Sequence, residues 1–323
     1  MIQGMLRVTD RRVERLDALD AMGIPESGFV WIDVAGQTHE DLAYLGERFH
    51  LHPLALEDCE HLDQRPKLEE YDGHLFLVIQ GFTPPISPES ASTDDVNLHE
   101  IHIFFSQRFV LTVHMNPHPG IDRLWAQLQE EPELGGRGPE FILYRICDGV
   151  VDANFPTLEG LSRTLEVLED EVLSNNLLDP VPRFLSMKRS FSDMRRVLSP
   201  QREVFAQLLR RDDAFLSSQT RLYFRDVYDH LVRLTELVEV ERELLASARD
   251  AHFTMLSQRT NEIMKRLTMA SIVFLPLTVI TGFFGMNFTH MPFDNDMLLV
   301  TMLLSMLSIP IAMLVWFQRR RWL

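Results

Sequence analysis

The sequence predicts an α+β soluble body, then long helices forming a stalk, and last a hairpin of two membrane-spanning helices. Three observations carry that reading. No charged side chain lies between Arg266 and Asp294, nor from Met297 to Phe317; the first of these runs, about 27 residues, exceeds the roughly 20 that cross a bilayer as helix. Neither glycine nor proline occurs from Gln201 to Leu275, so long helices go uninterrupted there. Ahead of Gln201, short runs rich in β-branched and aromatic residues give way to stretches of helical periodicity.

Length and charge set the bounds. A chain of 323 residues makes about two folding units. A net charge of −16 argues against nucleic acid as a partner, since phosphate binding requires Lys and Arg. It suits cations, and it equally suits plain solubility. Cys59 and Cys147 stand far apart in no metal-type spacing, which points to a reduced compartment. Met1 to Ala21 is rich in charge without an apolar core, so no signal peptide is expected. Lys265 and Arg266 precede the first span, and Arg319, Arg320 and Arg321 follow the second, while the link between them carries Asp294 and Asp296. The positive-inside rule then puts both termini in the cytoplasm and the link outside.

In chain order, Phe29–Val34 reads as a strand, and Thr38 caps a helix over Glu40, Leu42, Leu45 and Phe49. Pro53–Glu60 is a short helix ahead of a turn at Gln64-Arg65-Pro66. His74–Phe82 is a buried strand, and the Pro- and Ser-rich stretch from Thr83 to Asp95 a loop. His99–Phe105 and Arg108–His114 form a hairpin across Ser106-Gln107, in a mostly antiparallel or mixed sheet. Phe141–Leu173 has helical periodicity that softens at Pro156 and Gly160. There is no phosphate-cradling glycine loop, nucleophile elbow or HExxH, so no enzyme chemistry is read from motifs. Of the twelve histidines, His50/His52 and His99/His102 have metal-like spacing, but no cysteine or clustered carboxylate completes a set, and structural roles are expected.

Ser218 to Leu275 reads as one helix. Its cytoplasmic part carries a seam at Val227, Leu231, Leu234, Val238, Leu245, Ala248 and Met255, interrupted by Glu241 and His252. The same rhythm then passes through Asn261, Met264, Leu267 or Thr268, Ser271, Leu275, Thr278, Gly282 and Gly285. One face of the span is thus small, polar or slender, and the others are bulky. Periodicity leaves two accounts open: close helix packing in lipid, or a water-lined path between symmetry-related helices. Pro276 bends such a helix in either case.

The run Gly285-Met286-Asn287 at the outer end of the first span resembles the signature of the CorA family of divalent-cation channels. Tyr223-Phe224-Arg225-Asp226-Val227-Tyr228-Asp229-His230, Thr260-Asn261-Glu262-Ile263-Met264-Lys265, Pro276-Leu277-Thr278 and Arg321-Trp322-Leu323 are similar to that family too. So are Trp31-Ile32-Asp33-Val34, His52-Pro53-Leu54-Ala55-Leu56-Glu57-Asp58 and Gln64-Arg65-Pro66-Lys67. The resemblance implies a funnel-shaped homopentamer in the inner (plasma) membrane, passing magnesium, with cobalt and nickel as further candidates, and doing no covalent chemistry. It divides the chain into a cytoplasmic α/β domain (1–140), a helical stalk (141–266), a pore helix (267–287), an external loop (288–296), an outer helix (297–317) and a basic tail (318–323). Gly285, Met286 and Asn287 would form the filter, and Asn261, Met264, Leu267, Ser271, Leu275, Thr278 and Gly282 would line the pore. Five neutral amides can hold a hydrated magnesium ion by its reluctantly released water shell. A regulatory magnesium ion would sit between subunits, held by Asp58, with Glu57, on one side and Asp226 on the other, with Asp148 and Asp152 as further acids. Many relatives carry acids after the signature, where this chain has Phe288-Thr289-His290-Met291-Pro292-Phe293, leaving Asp294 and Asp296 to gather cations. A zinc transporter of the ZntB type is the alternative within the superfamily; Met286 favours magnesium. A membrane-tethered scaffold or sensor is the alternative outside it.

Overall fold

The computed structural model describes residues 2–9, 12–15, 28–61, 63–84, 96–174, 179–211, 215–286 and 296–320. The chain divides into two compact units, Met1–Arg249 and Asp250–Leu323.

The first unit is built on a seven-stranded sheet, ordered β2(Arg12–Arg15), β1(Ile2–Thr9), β3(Phe29–Ala35), β7(Phe109–His114), β6(Asn97–Phe105), β5(His74–Thr83), β4(Lys67–Tyr71). Among the described residues only β3 and β7 pair in parallel, so the sheet is mixed. Both faces are covered, which is why β5 carries the unbroken apolar run Leu75–Ile79 rather than an alternating pattern. On one face α1(His39–Phe49) and α2(Pro53–Glu60) bury Val30, Ile32, Phe76, Val78 and Leu111. On the other, α3(Pro119–Glu130), α4(Pro139–Asp152), α5(Asn154–Leu173), α6(Val181–Arg210) and the start of α7(Ser218–Phe284) cover Trp31, Leu77, Ile79, Ile103 and Val110. Thr38 closes a capping box with Asp41, as its position ahead of the helix predicts.

Beyond the reach of β4, β5 has a bare edge, and side chains close it. Gln201 Oε1 accepts from Gln80 N at 2.7 Å, and Asn154 Oδ1 accepts from Phe82 N at 2.8 Å. The Asn154 amide also donates back to the Val150 and Val151 carbonyls. This places the break between α4 and α5 at Ala153, not at Pro156 or Gly160. Pro156 stands in the first turn of α5, where its missing N–H has no helical partner to lose. The seam predicted on α7 is buried from Val227 to Ala248, and Met255 is only partly so. The predicted loop from Thr83 to Asp95 falls largely on 85–95, outside the described residues.

In the second unit α7 runs on to Phe284, and α8(Asp296–Arg319) follows. The apolar windows of α7 and α8 have mean hydropathies of 2.0 and 2.4, with 6% and 0% of each buried. Core helices of a soluble protein would hide such surface, so a bilayer is its natural solvent.

Candidate functional site: an acidic cluster and a polar helix face

Helix α4 stacks Tyr144, Asp148 and Asp152 four residues apart on one face, and α7 presents Tyr223, Asp226 and His230 towards it. Two glycines set the position of α4: a Cβ built on Gly120 would lie 2.4 Å from the Gly149 carbonyl oxygen, so α3 and α4 touch backbone to backbone. Tyr144 and Tyr223 stack with ring centroids 5.1 Å apart, and Arg137 donates to the Tyr223 hydroxyl at 2.5 Å.

Below that stack, ligating atoms of Asp148, Asp152 and His230 lie within 4.8 Å of one another. His230 Nδ1 is 2.9 Å from Asp152 Oδ1, and its Nε2 is 3.9 Å from Asp226 Oδ1. The half-buried Asp148 carboxyl is pushed above its ordinary value by desolvation, then by the charges of Asp152 and Asp226. Burial and the Asp148 and Asp226 charges hold the Tyr144 hydroxyl up at about 12. Carboxylates that raise one another's pKa are relieved by a cation. Two carboxylates suit a hard ion such as magnesium, while the imidazole nitrogen better suits cobalt, nickel or zinc. The sequence reading named Asp148, Asp152 and Asp226 but missed His230, whose signal was its i+4 spacing from Asp226.

Asp58 is not in this cluster. Its Oδ2 pairs with Lys67 Nζ at 2.6 Å, and the same ammonium reaches Glu69 Oε1 at 3.1 Å. Glu57 is exposed on α2, with its carbonyl 2.9 Å from His61 Nδ1. The four histidines with metal-like spacing hold the fold: His52 caps α2, His50 ends α1 in the left-handed region, His99 pairs with Thr83, and His102 with Glu100.

Along the first span, Asn261, Met264, Leu267, Ser271, Leu275, Thr278 and Gly282 are all exposed. The half-buried positions Ile272, Val273, Pro276, Leu277, Ile280 and Phe284 lie round the opposite side. Towards the outer end Thr281, Phe284 and Gly285, the last of them the end of the predicted stripe, line a 290 Å³ cavity with Leu298, Leu299 and Met302 of α8. From Asn261 to Gly282 the polar stripe is therefore not the seam that packs this chain's own hairpin; only Gly285 at its end meets α8. The Ser271 and Thr278 hydroxyls donate to the Leu267 and Phe274 carbonyls, leaving oxygen lone pairs that accept from water. Helix α7 ends at Phe284, with Gly285 N bonded to Thr281 O and Met286 N to Phe283 O. Asn287 and Asp294 lie outside the described residues; Asp296 opens α8.

Similarity to known proteins agrees with this anatomy. The chain is 32% identical over 301 residues to the cobalt/magnesium transport protein CorA of Thermotoga maritima, covering 91% of this chain and 83% of that one. It is 22% identical over 262 residues to the zinc transport protein ZntB of Yersinia pseudotuberculosis, covering 80% of this chain and 77% of that one. The solved complete structure of the CorA magnesium transporter from Methanocaldococcus jannaschii superposes with a TM-score of 0.88 at 22% identity, over 100% of this chain and 99% of that one. The profile of the family described as CorA-like Mg2+ transporter protein matches residues 26–320, and with a sheet domain, a long helix and an apolar hairpin in the same order, the chain belongs to that family.

Proposed function

We propose that the chain carries magnesium inward across the inner membrane as a homopentamer with both termini cytoplasmic. It is a divalent-cation transporter of the CorA type, and the proposed reaction is movement of an ion down its gradient, without enzymatic chemistry. The observation that carries the reading is the exposed stripe from Asn261 to Gly282, turned away from α8. Around a fivefold axis it forms a continuous wall of acceptor hydroxyls and amides, broken by apolar rings at Met264, Leu267 and Leu275 that gate by dewetting. Gly285, Met286 and Asn287 form the filter, whose amides hold the hydrated ion, and Asp294 and Asp296 gather cations outside.

In the cytoplasm, regulatory magnesium binds at Asp226, Asp148 and Asp152 of one subunit, with Asp58 and Glu57 reaching across from the next. Bound metal joins the subunits and favours the closed pore; its loss releases their mutual repulsion and the funnel relaxes. The proposed division of labour keeps the soluble body to 1–140, the stalk to 141–266, the pore helix to 267–287, the loop to 288–296, the outer helix to 297–317 and the tail to 318–323. One observation favours a second reading: the imidazole of His230 among the carboxylates is a ligand suited to zinc or cobalt.

Flux into liposomes separates the readings. Magnesium influx that is lost in Asn287→Ala, in particles that still assemble, is the expected result. Influx of zinc without magnesium would favour the second reading, and no influx of either would leave only a tether. Asp226→Ala is expected to raise the internal magnesium needed for half-closure by about tenfold, the loss of roughly 1.4 kcal/mol of coupling. An unchanged midpoint in that variant would remove Asp226 from the sensor.

A further inference from the structure

The ion pair on Asp58 changes what that residue does before metal arrives. Lys67 is the first residue of β4 and Asp58 lies in α2, so two separate elements are joined by this contact. The ammonium is held on several sides. It lies 2.6 Å from Asp58 Oδ2 and 3.1 Å from Glu69 Oε1, and 5.5 Å from the centroid of the Phe76 ring. Glu69 is itself fixed, its Oε2 accepting from the Tyr71 hydroxyl at 2.7 Å. The Lys67 and Asp58 side chains are 27% and 20% exposed, so water screens the pair only in part. By contrast the Asp152 and Asp226 carboxylates pair with the imidazole of His230, 2.9 Å and 3.9 Å from its two ring nitrogens.

We infer that Lys67 is a tethered cation that competes with the divalent ion for Asp58, and so sets the magnesium concentration at which the regulatory site fills. The inference rests on the regulatory reading above, in which Asp58 reaches a metal held by the neighbouring subunit. A divalent ion approaching Asp58 meets an amine already at contact distance. It must either displace the ammonium towards Glu69 or share the carboxylate through Oδ1 while Oδ2 keeps its lysine. Both routes make binding weaker than to a bare carboxylate, because the two cations repel across a few ångströms. A second carboxylate within reach, Glu69, gives the displaced ammonium somewhere to go, so the exchange is reversible rather than a fixed block. Two cations bidding for one carboxylate are coupled negatively and reciprocally: whatever Lys67 costs the metal, the metal costs Lys67.

The test uses the full-length protein in detergent and reads magnesium-dependent protection from proteolysis, alongside magnesium influx into liposomes. Lys67→Met keeps the side chain's length and its contact with Phe76 while removing the charge, and Lys67→Gln serves if the methionine variant folds poorly. Either is expected to lower the magnesium midpoint for protection about fivefold, and inhibition of influx should shift with it. Lys67→Arg, which keeps the charge, should stay near the wild-type midpoint. In a Lys67→Met, Asp58→Asn double variant the gain should vanish, since no carboxylate remains to be uncovered. An unchanged midpoint in the neutral variants, or a raised one, overturns the inference, the latter by showing that Lys67 positions Asp58 for the metal. Asp226→Ala tells that failure from the failure of the site itself: if it shifts the midpoint while the Lys67 variants do not, the sensor stands and the competition falls. If neither shifts it, both fall together.

Discussion

Gly120→Ala is expected to lower the melting temperature of the full chain by roughly 5–10 °C and to weaken metal binding as a secondary effect, although the changed residue is not at the cluster. A Cβ at this position would stand 2.4 Å from the Gly149 oxygen and 2.5 Å from its carbonyl carbon, closer than any real contact. Both obstructing atoms are backbone, so no side chain can swing aside and the helices must part. Forced overpacking costs about 1–3 kcal/mol, and this contact belongs at the upper end; alanine's better helix propensity returns at most about 1 kcal/mol. Moving α4 carries Asp148 and Asp152 away from His230, which is the link from packing to function. Two other glycines make the comparison sharp. A Cβ on Gly149 would meet Gly120 at 3.2 Å, a strain of a few tenths of an ångström, so Gly149→Ala should cost less. Gly160 has nothing within 4 Å, so Gly160→Ala should be neutral or stabilising by a few tenths of a kcal/mol. Thermal unfolding of the three variants, followed by one optical probe, orders them. Equal melting temperatures for Gly120→Ala and Gly160→Ala would mean that the α3–α4 crossing is not a constraint.

The same crossing shows why part of the fold escaped the sequence reading. Pro119-Gly120 looks like a turn because both residues are breakers, and no helix was expected from 119 to 130. In the structure Pro119 is the first residue of α3, where its fixed φ helps, and Gly120 is there for the approach of Gly149 rather than for flexibility. The two edge strands were hidden by their charges, β2 by its Arg, Glu and Arg and β4 by its Lys, Glu and Glu, since a sheet edge need not be apolar. What could be read was what local chemistry dictates: the Thr38 cap, Pro53 at the start of α2, and β5, whose apolar run records burial on both faces. The helical stripe from Asn261 to Gly282 was also legible, since spacing alone defines a face. Which way that face turns was not, because it depends on where α8 lies. The regulatory carboxylates were named by resemblance, but His230 at the acidic cluster and Lys67 beside Asp58 were not found as their partners. Both act through contacts between separate elements, His230 of α7 with Asp152 of α4 and Lys67 of β4 with Asp58 of α2, and periodicity within one element carries no information about such pairs.

Taking the protein from pH 7 to pH 5 is expected to cost about 2 kcal/mol through His118 alone. His118 is fully buried at the N-cap of α3, and its Nδ1 accepts from Gly120 N at 3.1 Å, a bond that only the unprotonated nitrogen can make. Desolvation, followed by the nearby charges of His99, His114 and Arg123, pushes its pKa down to about 3 from an ordinary value of 6.5. The unfolded chain therefore binds a proton that the folded chain refuses between those values, and stability falls as pH drops below 6.5. His99 and His74, also lowered by burial, add to the same trend. His114 has the opposite sign. Burial pulls its pKa down, but Nε2 lies 3.0 Å from Asp33 Oδ1 and Nδ1 2.7 Å from the Asn116 carbonyl, and these two acceptors raise it above its ordinary value. That contribution is full below pH 6.5 and is lost as pH rises through the raised value. The two histidines thus act on the sheet domain with opposite sign, His118 weakening it as pH falls below 6.5 and His114 as pH rises through its raised value. The measurement is the melting temperature from pH 5 to 8 for wild type and for His118→Asn, since asparagine can still cap the helix without taking up a proton. The acid limb should flatten in the variant while the alkaline limb, set by His114, keeps its slope. An acid limb that is unchanged would show that His118 is protonated in the native fold, and that the Gly120 N–H bond does not hold it neutral.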